Sequence, residues 1–120
     1  MDLLEVFKDS EDVVDFPAGS VIAAEGAEGS HMYVVMTGEV TISINDRAMA
    51  TVMPGEIVGE MALINSNIRS ATITAKTDCR LALIDQASFN SLLRYVPDFS
   101  LHVMNVLADR LKHAYEALGS

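Results

Sequence analysis

Arg69 and Glu60 are the two side chains of this sequence best suited to grip a small anionic ligand. They sit close together in the stretch Val-Gly-Glu-Met-Ala-Leu-Ile-Asn-Ser-Asn-Ile-Arg-Ser-Ala-Thr-Ile-Thr-Ala, from Val58 to Ala75. A guanidinium offers a planar fork that matches phosphate oxygens, while a carboxylate is an acceptor suited to a sugar hydroxyl. A carboxylate repels a phosphate, so the two must address different parts of one ligand. The chemistry implied is recognition of a sugar phosphate.

Local sequence supplies the means of positioning them. Gly59 lets the backbone turn sharply out of a short strand, and Glu60-Met61-Ala62-Leu63-Ile64 has good helix formers where free N–H groups can face an anion. A one-turn helix with its positive end directed inward is expected. Asn65-Ser66-Asn67 is a polar break, after which Thr72-Ile73-Thr74-Ala75 alternates like a strand and is expected to hold Arg69 at its mouth.

The pattern G-E-x-A-L, a short gap and then R-S-A-T resembles the phosphate-binding cassette of the cyclic-nucleotide-binding domain family, of catabolite activator, protein kinase regulatory subunit and nucleotide-gated channel type. The lead-in G-x-x-G-x-x-M-Y-V-V-x-x-G-x-V, from Gly26 to Val40, is similar to that family too, and the resemblance covers nearly the whole chain. It implies that Glu60 takes the ribose 2′-OH and that Arg69 grips the cyclic phosphate. The Ser70 hydroxyl and the Ala71 N–H then complete the cradle, lined by Gly59 and the N–H groups of Glu60 and Met61, with Ala62 and Thr72 also among the ligand-binding residues. The implied ligand is cAMP or cGMP. Family members with Thr beside the arginine often favour cGMP, so Ser70 leans toward cAMP. The alternative is a ligand-free structural or interaction module that kept the fold and spends Arg69 and Glu60 on a buried salt bridge.

Composition narrows the class. The 120 residues suit one domain, and half of them are apolar, enough for a core without staples. A formal charge of −9 with eight Lys and Arg argues against a nucleic-acid surface and against an anionic membrane. Cys79 is the only cysteine, which excludes an intrachain disulfide and fits a reducing, cytoplasmic setting. The start, Met1-Asp2-Leu3-Leu4-Glu5, has neither a basic leader nor a long apolar run, so no signal peptide or membrane span is expected.

Along the chain, Leu3, Leu4 and Phe7 fall at helical spacing behind Asp2 as a cap, giving a short N-terminal helix. Val13–Phe16, Val21–Ala24, His31–Met36, Val40–Ile44, Ala48–Val52, Ile57–Val58, Thr72–Ala75 and Cys79–Ile84 read as short strands separated by turn residues, in hairpin grammar throughout. An antiparallel, jelly-roll-like β-roll over about 11–85 is expected, with the cassette helix inside it.

The pattern then changes. Asp85 can cap a helix from Gln86 to Tyr95, and Pro97 marks a break before a second helix to about Leu118. In that last helix Leu101, Met104, Ala108, Leu111, Tyr115 and Leu118 recur by three and four, with Val103, Leu107 and Ala114 widening the apolar face. The surplus face suits a homodimer or a protein effector. Tyr115 is the candidate cover for the purine, in competition with a place in the helix's apolar seam.

Metal and catalytic chemistries fit poorly. His31 is the sole histidine of the β region, and His102 and His113 are too far apart along a helix to share an ion. No Ser/His/Asp order with an activating motif occurs, and Glu60 has no second carboxylate beside it for paired acid and base work. The reading is mainly β with C-terminal helices, a single domain over 1–120 and no enzyme. It is a stand-alone binding module that relays occupancy through its last helices.

Overall fold

The computed structural model describes residues 1–119 and resolves them into two compact units, one over Asp2–Gln86 and one comprising Met1 with the chain from Ala87 onward. In the first unit, α1 (Leu3–Phe7) is capped by Asp2, whose carboxylate accepts from the Glu5 N–H at 3.3 Å. Eight strands follow in chain order, β1 (Val13–Phe16), β2 (Val21–Ala23), β3 (His31–Thr37), β4 (Val40–Ile44), β5 (Arg47–Val52), β6 (Ile57–Val58), β7 (Thr72–Ala75) and β8 (Cys79–Asp85). The short helix α2 (Glu60–Ile64) lies between β6 and β7.

The strands form two antiparallel sheets, ordered β1-β8-β3-β6 and β2-β7-β4-β5. The expected β-roll is present, but hairpin grammar overstates its wiring. Among the described residues only β4 and β5 are both consecutive and paired; β1 pairs with β8 and β2 with β7, in different sheets. The physical reason lies in the turns. Asn45 and Asp46 both take positive φ, 51° and 63°, which a two-residue hairpin turn with the right twist requires. Pro17-Ala18-Gly19-Ser20 instead carries the chain across to the other sheet.

Inward residues at period two make the core between the sheets. Tyr33 and Val35 from β3, Val58 from β6, and Cys79 and Leu81 from β8 meet Val40, Val52, Ile73 and Ala75 from the second sheet. Met32, Val34, Ala82 and Ile84, on the opposite faces of β3 and β8, are buried as well. These two central strands are therefore covered on both sides, and Met32–Val35 and Leu81–Ile84 accordingly run apolar without a polar alternate.

The second unit contains α3 (Gln86–Tyr95, its first residue closing the first unit) and α4 (Pro97–Gly119). Phe89 and Phe99 pack edge to face with centroids 6.0 Å apart, and the Ser100 hydroxyl donates to the Leu93 carbonyl at 3.1 Å. Among the described residues no helix is long and apolar enough to cross a membrane, and no group of His, Cys, Asp and Glu is placed to hold a metal ion.

Candidate functional site

The site begins where β6 ends. Gly59 adopts φ 81°, a left-handed conformation that turns the chain from Val58 straight into α2. Glu60, the first residue of that helix, is fully buried, as are Ala62 and Leu63 behind it, while Met61 and Ile64 face outward.

After α2 the chain reverses through Ser66 and Asn67, both at positive φ. The following residues are laced to the loop before β3: the Gly29 N–H donates to the Asn67 carbonyl at 2.8 Å, the Arg69 N–H to the Ala27 carbonyl at 2.8 Å, and the Gly26 N–H to the Arg69 carbonyl at 2.9 Å. Glu28 and Ile68 form an isolated antiparallel bridge in the same run. The backbone of Arg69 is therefore clamped from the side of the Gly26–Gly29 turn.

Its side chain turns inward. Arg69 is only 5% exposed. Nη1 donates to the Gly59 carbonyl at 3.0 Å, Nη2 donates to the His31 carbonyl at 2.7 Å and lies 3.5 Å from the Tyr33 hydroxyl, and Cζ sits 5.5 Å from the centre of the Tyr33 ring. A buried cation must be satisfied, and two backbone carbonyls with an aromatic face satisfy this one. The side chain joins the start of β3 to the residue that caps α2.

The remaining predicted site residues divide. Ser70 is exposed and its hydroxyl donates to Met61 Sδ at 3.6 Å, drawing the two ends of the cassette together. Ala71 is half-buried at the entry to β7, and the Thr72 hydroxyl accepts from the Glu25 N–H at 3.1 Å. Gly59, Glu60, Met61, Ala62, Arg69, Ser70, Ala71 and Thr72 all belong to the first unit. Tyr115 belongs to α4 in the second unit and is 64% exposed. Sequence reasoning missed the contributions of Gly29, the His31 carbonyl and Tyr33; the only signal was the G-x-x-G-x-x-M-Y run itself.

A double-sheet roll that presents a one-turn helix and a buried arginine side by side defines a small-ligand-binding β-roll domain. The chain belongs to the cyclic nucleotide-binding domain family, whose profile matches residues 13–95. It is 36% identical over 86 residues to a cAMP-dependent protein kinase regulatory subunit of Schizosaccharomyces pombe, covering 71% of this chain and 21% of that protein. It is 35% identical over 80 residues to a cGMP-dependent protein kinase of Drosophila melanogaster, covering 67% of this chain and 7% of that one. The crystal structure of Thermus thermophilus catabolite activator protein superposes with a TM-score of 0.78 at 29% identity, over 89% of this chain and 53% of that one. The chain thus spans about a fifth or less of the length of these two kinase relatives. Domains of this family are binding and regulatory rather than catalytic, and this domain is not an enzyme.

Proposed function

We propose that the chain is a sensor domain for a 3′,5′-cyclic nucleotide, cAMP in preference to cGMP, acting in the cytoplasm and formed by residues 1–120. The observation that carries this reading is the hydrogen bond from Arg69 Nη1 to the Gly59 carbonyl, which places the cation beside the residue that leads into Glu60. In this reading Arg69 takes the cyclic phosphate, Glu60 the ribose 2′-OH, and Gly59, Met61, Ala62, Ser70, Ala71 and Thr72 line the cradle. The preference for cAMP rests on Ser70 alone, since the relatives named for the two nucleotides match almost equally.

Occupancy is read out by the C-terminal helices, through α4 to a second copy or to a protein effector. A ligand shifts such a helix equilibrium only by its differential affinity for the two states, commonly about 1–3 kcal/mol. The test is titration calorimetry with cAMP, cGMP and 5′-AMP, with melting curves alongside. Micromolar or tighter binding of a cyclic nucleotide is expected, with a raised melting temperature by mass action and much weaker binding of 5′-AMP, whose phosphate is free and dianionic.

One observation favours a second reading. Both η nitrogens of Arg69 already meet backbone carbonyls, as a structural strut requires. A ligand-free interaction module predicts no heat and no stabilisation at millimolar cyclic nucleotide, so the same titration separates the two.

A further inference from the structure

Gly29 has an ordinary backbone, without the positive φ that makes glycine necessary at Gly19, Gly26, Gly38, Gly55 and Gly59. It is nevertheless buried, and it has no room for a side chain. A Cβ built there would run into Arg69 Nε, would lie 2.7 Å from Arg69 Cζ and would lie 2.9 Å from the Ala62 methyl. Real Cβ contacts are longer than this, so the guanidinium occupies the space that glycine leaves bare.

The backbone cannot retreat to make space. Gly29 donates its N–H to the Asn67 carbonyl at 2.8 Å, and its neighbours in the turn are tied to Arg69 itself by the bonds from Gly26 and to Ala27. The Arg69 guanidinium cannot shift freely either, because its η nitrogens must reach the Gly59 and His31 carbonyls at 3.0 and 2.7 Å. Any side chain at position 29 therefore moves the guanidinium.

The geometry points to Gly29 as the positioning residue for Arg69: it is glycine so that the cation can lie beside Gly59, and it thereby sets the affinity for the ligand's phosphate. This rests on the reading of Arg69 as the phosphate ligand, and it adds a residue of the β3 lead-in to the determinants of that site. Pre-positioning matters because a donor already in place loses little freedom on binding.

The experiment compares wild type, Gly29→Ala and Gly19→Ala in the full chain. Gly19 takes φ +88° with nothing within 4 Å of an added Cβ, so its replacement strains the backbone without touching Arg69. Affinity for cAMP is measured by calorimetry, and the Arg69 Nε–H resonance, assigned by its loss in Arg69→Lys, is followed by NMR. Gly29→Ala is expected to lower affinity by about ten- to hundred-fold, as for one misplaced charge-assisted hydrogen bond, and to displace the Nε–H resonance. Gly19→Ala is expected to lower the melting temperature, with the resonance unmoved and affinity held within about three-fold, a change worth about 0.65 kcal/mol. An unmoved resonance in Gly29→Ala, or affinity held there within the same limit, overturns the proposal. If wild type binds no cyclic nucleotide, the functional reading fails and the resonance alone decides the positioning role. If Gly29→Ala does not fold, the double variant with Arg69→Ala decides: recovered folding supports a conflict with the guanidinium, and continued failure assigns the conflict to Ala62 and overturns the proposal.

Discussion

Arg69 and Gly59 are joined by a single 3.0 Å hydrogen bond, from the guanidinium Nη1 to the backbone carbonyl, and through it a strand-entry arginine touches the cap of a helix ten positions earlier. This bond gives Arg69 two duties, since the same side chain braces the His31 carbonyl.

Arg69→Lys should therefore lose on two counts. An ammonium keeps the charge but cannot span two carbonyls with a planar fork. With hydrogen bonds to charged groups worth about 1.5–3 kcal/mol, ligand affinity should fall roughly ten- to hundred-fold or more. Stability should fall too, by about 1–3 kcal/mol, because the part-buried carbonyls of Gly59 and His31 lose a donor. Chemical denaturation without ligand checks the second effect; a stability equal to wild type would show that the carbonyl bonds are dispensable.

The role of Glu60 is separable by a double cycle. Removing the 2′-hydroxyl from the ligand should cost wild type much and Glu60→Ala little, because the missing partner is the same in both cases. Equal losses in the two proteins would take Glu60 off the sugar. Full burial of Glu60 adds a caution to the design: Glu60→Gln, which keeps the volume, should accompany the alanine variant.

Much of this architecture was legible in the sequence, and its limits were physical. Strand positions followed from period-two patterning and turn residues, and Gly59 with Glu60–Ile64 announced the turn and short helix. Pairing was not legible, because a β-strand's local sequence does not specify a partner; β1 finds β8 across the length of the roll. The partners of the Arg69 guanidinium were equally hidden. Its acceptors are main-chain carbonyls of Gly59 and His31, which every residue possesses, and its seat is a glycine whose backbone is unremarkable.

Cys79 should be chemically quiet in the folded protein. Burial, with Asp15 and Asp78 adding negative potential, pushes its thiol above the ordinary 9.0, so little thiolate exists at neutral pH. Iodoacetamide at pH 7 should leave the native chain unmodified and label it once denaturant unfolds it, as intact mass reports. Rapid native labelling would show that β8 opens locally.

Stability should carry a histidine signature. Burial, helped by the N-terminal ammonium, holds the His102 imidazole below its ordinary 6.5, and Nε2 has no hydrogen-bond partner among the described residues. The folded state therefore binds the proton less readily than the unfolded chain. This contribution is fully present above pH 6.5 and is lost as pH falls below it toward the folded value. His102→Leu should flatten the decline in denaturation midpoint between pH 7 and 5. An identical decline in the variant would assign it to other groups.

The last helix leads to the final prediction. Leu101, Met104, Leu111, Tyr115 and Leu118 are between 52% and 84% exposed, and with Ala108 they recur at three and four along α4, the seam of a heptad pattern. A chain of net charge −9 would ordinarily repel its own copy, yet the residues flanking this seam are Asn105, Leu107, Lys112 and Ala114, none of them acidic. Asp109 and Glu116 fall outside both seam and flanks on the same heptad count. The arrangement suits a second α4 in parallel, and self-association is expected in sedimentation equilibrium. Leu111→Glu should shift the protein to monomer by placing two like charges in the seam, with cAMP affinity changed little if the site works within one chain. Tyr115→Ala separates the two duties assigned to that ring: weaker nucleotide binding in a protein still dimeric makes it the purine's cover, whereas unchanged affinity with a weaker dimer returns it to the seam. A wild type that stays monomeric at hundreds of micromolar would leave the apolar face to a different protein and remove the second copy as the partner.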